Sequence, residues 1–129
     1  MTKPSTPQTQ STTSFDLVLP PDPELLRVVR LVASGLASLA PLGLDEVEAV
    51  RVAADELVAA LIQASDGGSV TITFERTADT ISIRGSAPLP ADGAFELDPL
   101  TERILDTVAT SHEWHTERRV LHGRVDQAI

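Results

Sequence analysis

Between Gly43 and the pair Gly67-Gly68 the chain carries one uninterrupted helical pattern, Leu44 to Ser65 (LDEVEAVRVAADELVAALIQAS), and directly after it the pattern switches to alternation. Val47, Val50, Ala54, Leu57, Leu61 and Ala64 recur at helical spacing and predict a long apolar face. Asp45 and Glu48 stand in capping-box spacing at its start, and the glycine pair supplies its stop. Beyond the glycines Val70, Ile72 and Phe74 alternate with Thr71, Thr73 and Glu75, then Ile81 and Ile83 with Ser82 and Arg84. That period of two predicts a pair of strands turning at Ala78-Asp79. A long amphipathic helix running straight into a hairpin leaves few solutions, because the helix must bury its stripe on the sheet that the hairpin begins.

The flanking segments extend this plan. Phe15, Leu17 and Leu19 alternate in a short predicted strand closed by Pro20-Pro21. Asp22 before Pro23 reads as a cap with proline in the first helical turn, opening a helix to about Ala40 with the stripe Leu25, Val29, Val32, Leu36 and Leu39. Gly85 to Leu97, with Pro88, Pro90 and Gly93, reads as an irregular connection. Asp98-Pro99 repeats the cap and proline and predicts a helix with Leu100, Ile104 and Val108 inward, ending near Ser111. His112 to Val125 reads as two short strands turning near Glu117 to Arg119. The predicted class is α+β, a two-layer sandwich of a mixed, mostly antiparallel sheet with three helices on one face. Met1 to Ser14, almost without apolar residues, is expected to be a disordered tail, leaving 15–129 as one domain.

Composition narrows the partners. Hydrophobic residues make up 42% of the chain but aromatics only 3%, so the core must be aliphatic. Nineteen acidic residues against 10 basic ones give a formal charge of -9, which argues against direct contact with nucleic acid and leaves two readings, a basic partner or colloidal solubility alone. The chain has no cysteine, which excludes disulfides and thiolate metal sites. Its apolar runs are broken by charges, and Met1 onward shows no hydrophobic signal region, so a cytoplasmic protein with no membrane contact is expected.

Asp55 and Glu56 sit in the middle of the apolar helix, where an unpaired carboxylate is costly. Two readings are open: a functional pair, or two solvent-facing carboxylates beside the stripe. The order of elements, together with VAADELVAALIQA, resembles the anti-sigma factor serine kinases, the switch-protein branch of the histidine-kinase-like (GHKL) ATPases, over Phe15 to Val125. The resemblance implies that fold. It also implies a nucleotide site on the second helix, with Glu56 as general base beside Asp55 and a magnesium-binding Asn four residues on. That position is Ala60, which has no oxygen to offer a hard cation. An Asp followed by glycines is implied just beyond Ile83, where Arg84-Gly85-Ser86-Ala87-Pro88 stands instead, with Asp92-Gly93 as a displaced substitute.

The implied glycine-rich lid is absent too, and Asp98 carries a negative charge to the helix start where phosphates would bind. What the resemblance then implies is an eroded member: a cytoplasmic, dimeric anti-sigma protein that masks a sigma factor and yields it to an antagonist protein. ATP and magnesium enter only if the site is rebuilt from other residues. The alternatives are an active ATP-dependent serine kinase acting on that antagonist, and a dimerisation module that kept neither activity. Arg27 or Arg30 of the first helix is the implied partner contact, against an ordinary solvated role.

His112, Glu113, His115 and His122 invite a metal reading. Positions three apart on a strand point to opposite faces, so no metal site is expected from His112 and His115 together. Trp114 is expected to anchor a core or an interface.

Overall fold

The computed structural model describes residues 12–129. Its elements are β1 (Thr13–Leu19), a 3-10 turn (Pro23–Leu25), α1 (Leu26–Ser38), α2 (Leu44–Ala64), β2 (Val70–Arg76), β3 (Thr80–Pro88), α3 (Pro99–Val108), β4 (Ser111–Glu117) and β5 (Val120–Ala128). The expected tail falls outside the described residues up to position 11, and Thr13 and Ser14 at its end already belong to β1.

The five strands form one sheet in the order β1-β2-β3-β5-β4, and every neighbouring pair is antiparallel. The expectation of a mixed sheet is thereby corrected. β3 and β4 do run in the same direction, joined through α3, but β5 inserts between them and separates the parallel strands.

α2 lies across β3 and β5, α1 packs on α2, and α3 packs on α2 and β4. The seating of α2 depends on two glycines that are direct partners across β3 and β5, Gly85 and Gly123. A Cβ on Gly85 would stand 2.2 Å from a Leu61 methyl, and one on Gly123 would stand 2.7 Å from a Leu57 methyl and 2.8 Å from the Trp114 ring. The two bare positions therefore form the trough into which the helix side chains sink. Around it Ile72, Phe74, Ile83, Leu121 and Val125 complete a core in which Phe74 is the only fully buried aromatic ring among the described residues.

Several local expectations change. β3 runs on through Gly85 to Pro88, so the irregular connection begins only after the strand. The cap of α2 is Gly43, whose N–H donates to Glu46 Oε1 at 2.6 Å, rather than an Asp45–Glu48 box. α3 buries Leu105, while Leu100 is exposed, because the helix meets α2 and β4 about one residue round from the face its first turn suggested. Leu39 lies beyond the end of α1 and is 69% exposed, so it leaves the stripe assigned to that helix.

Candidate functional site

The motif helix opens onto a cavity of about 450 Å³ between α2, the β3–α3 connection and the start of α3. Ala60 and Gly93 line it together, with Ala59, Gln63, Phe95, Glu96 and Asp98. Asp55, Glu56 and Asp92 are not among its lining residues. Glu56 is half-buried on α2 one turn before Ala60. Asp55 accepts a 2.9 Å hydrogen bond from Arg30 Nε, an ion pair that ties α2 to α1 and gives both residues a structural role. Arg27 is exposed.

The chemistry of this cavity does not suit a magnesium-bound triphosphate. Its only charged residues are Glu96 and Asp98, which would repel phosphates, and Ala60 offers no metal ligand. The N-terminus of α3 is occupied by its own sequence. Asp98 accepts from the Leu100 N–H at 2.7 Å and Pro99 has no N–H, so two groups that would bind an anion are spoken for. Phe95 stacks on Trp114 with ring centroids 5.4 Å apart, closing the connection against β4.

Trp114 thus serves as an anchor on the helix-bearing side of the sheet, as its sequence context suggested. Its Nε1–H donates to His112 Nδ1 at 3.0 Å, which leaves His112 Nε2 to donate to Asp106 at 2.7 Å. His112 is consequently committed to joining β4 to α3.

The other face of the sheet carries no helix, and its residues fall into rows across the strands. One row is Asp16, Thr73, Arg84, Arg124 and Glu113; the next is Val18, Thr71, Ser86, His122 and His115. A cleft of about 300 Å³ lies over these rows, lined by Thr71, Thr73, Arg84, Ser86, Glu113, His115, His122 and Arg124. Like charges placed directly opposite repel, and here each arginine has its own carboxylate. Arg84 pairs with Glu75 at 3.4 Å and Arg124 with Asp126 at 3.0 Å. Asp126 also accepts from the buried Ser82 hydroxyl at 2.5 Å, so the one buried polar residue of the sheet is satisfied.

Sequence reasoning separated His112 from His115 correctly but missed that β4 and β5 set His115 and His122 side by side. The signal was available in the turn: two residues between the strands fix the register, and the register pairs the two histidines. A second omission is the outward face of α1. Val28 and Leu31 are exposed there, the exposed Leu39 follows on the link to α2, and the exposed Leu44 opens α2. No helix among the described residues is long and apolar enough to cross a membrane. The chain matches no known protein-family model and no curated protein.

Proposed function

We propose that this protein is an anti-sigma regulatory protein that binds and masks a sigma factor in the cytoplasm, working by stoichiometric occupancy rather than by phosphate transfer. The observation that carries this reading is the cavity between α2 and α3. The motif helix, the connection after β3 and the start of α3 meet around it, where the resemblance implies a nucleotide, and yet the only charges lining it are the carboxylates of Glu96 and Asp98. A cavity at the place the resemblance implies for a nucleotide, but with lining chemistry unsuited to one, suits a protein whose surface does the work.

The surface supplies a place for that work. Arg27 lies one helical turn before Leu31, which is 73% exposed, and Val28 adjoins them. An apolar strip beside a cation is the docking edge for the partner, and the overall charge of -9 speeds encounter with a basic DNA-binding protein.

The test is transcription by reconstituted host RNA polymerase with each of its sigma factors in turn. Inhibition of one of them at equimolar protein is expected, unchanged by ATP, and lost on Leu31→Asp. If none of the sigma factors is bound or inhibited, the proposal fails. Transfer of phosphate to an antagonist-type protein, abolished by Glu56→Gln, would establish the kinase reading in its place.

A further inference from the structure

We propose that the helix-free face of the sheet holds a transition-metal site, a single zinc or nickel ion bound by His115, His122 and Glu117. His115 and His122 are direct partners across β4 and β5, and their rings stack with centroids 4.7 Å apart. Glu117 follows His115 by two residues on the same strand and so emerges on the same face. One ligand atom from each of the three residues lies within 4.8 Å of the other two.

Tetrahedral zinc with nitrogen and oxygen ligands at about 2.0–2.1 Å separates those ligands by about 3.3 Å. The cluster therefore closes on an ion by side-chain rotation alone, each ring turning from the stacked position so that a nitrogen lone pair points inward. His115 and Glu117 are exposed and His122 is half-buried, so the rotation meets no packed core and the ion has a free path in. Two imidazoles and a carboxylate favour zinc or nickel over magnesium, and three protein ligands leave a position open to water or an exogenous ligand.

The turn beside the cluster adds a second observation. β4 and β5 are joined by Arg118 and Arg119 alone, and both adopt left-handed backbone, with φ of 53° and 63°. Such a turn favours Asn-Gly, and two arginines hold it at a cost in backbone strain. A looser connection would avoid that strain but release the register that sets His115 against His122 and carries Glu117 beside them.

Around the cluster, Ser86 partners His122 across β3, and Arg124 faces Glu113 on the adjoining row. Arg124 is already engaged by Asp126, which compensates the positive charge on that adjoining row, while Arg118 and Arg119 follow Glu117 in the turn.

The chain contains three histidines, which makes the experiment self-controlled. Calorimetric titration of the chelator-treated full chain with zinc chloride, and separately with nickel, is expected to show one ion per chain. His115→Ala and His122→Ala should each weaken binding by roughly 100-fold and Glu117→Gln by about 10-fold. His112→Ala, on the opposite face, should change nothing, and magnesium should give no heat. Imidazole NMR of the wild-type protein should show zinc shifting His115 and His122 and leaving His112 in place, a readout that needs no variant to fold. Absence of binding at 0.1 mM zinc and nickel, on the order of the weakest useful affinity, would overturn the site. So would binding that survives loss of both His115 and His122.

Discussion

On one side of the sheet, the cavity between α2 and α3 is enclosed by three segments yet offers two carboxylates and no cation. On the other, a smaller cleft over β3, β4 and β5 gathers two arginines, two histidines and Glu113 from stretches no more than three residues wide that sequence order keeps apart. The first is a site by architecture and the second by chemistry. Size alone therefore ranks the two in the opposite order from what their side chains can bind. A cavity inherits its outline from how helices pack, which is a property of the whole core, whereas its ligand chemistry rests on a handful of lining positions that can change without disturbing that core.

The sharpest way to break the contrast between faces is to change neighbouring residues of β3 that point in opposite directions. Gly85→Val pushes a branched side chain into Leu61 and should destabilise the protein by about 3 kcal/mol, read from the urea midpoint. Ser86→Val, on the helix-free face, should shift stability by no more than about 0.5 kcal/mol. Equal losses would mean that the two faces are packed alike.

The β4–β5 turn sharpens the chemistry of the second face. Arg118→Asn with Arg119→Gly supplies the residues that left-handed backbone favours, and should raise thermal stability by about 1–2 kcal/mol while keeping the register of His115 and His122. Unchanged or lower stability would show that the arginines make compensating contacts.

The smallest effect belongs to neither face. Arg51 hydrogen-bonds Glu48 one turn earlier on α2 and holds its carboxyl below the ordinary value of 4.5. A depressed folded-state value stabilises above the unfolded one and is lost as pH falls through the folded one. The difference in melting temperature between wild type and Glu48→Gln should therefore be small at pH 7 and vanish as pH falls below the folded-state value, since exposed pairs contribute little. A large difference would mark this pair as part of a wider network.

Much of this architecture was legible from pattern. The periodicities placed α2, the β2–β3 hairpin and the Asp98-Pro99 start of α3, because each has a local cause: an apolar stripe, an alternation, a cap followed by proline. What failed were boundaries and faces decided by neighbours. β3 continues through Gly85 because β2 and β5 pair with it on both sides, a condition no local reading of Gly-Ser-Ala-Pro contains. Leu105 is buried instead of Leu100 because α3 meets α2 and β4 together.

The candidate sites divide in the same way. Ala60 could be located from its distance along α2 to Glu56, and Gly93 could be named as a substitute, but only packing brought them to one cavity and left Asp55 on Arg30. The sequence by itself determined an aliphatic α+β architecture, the order of its elements and an alanine without a metal-binding oxygen one turn after Glu56, since propensity, capping and residue chemistry act within a few neighbouring positions. Tertiary structure alone decided that β5 would slide between β3 and β4, that two glycines would face each other beneath α2, and that His122 would stand beside His115. Those are long-range pairings, set by which arrangement buries the core and satisfies the backbone at once.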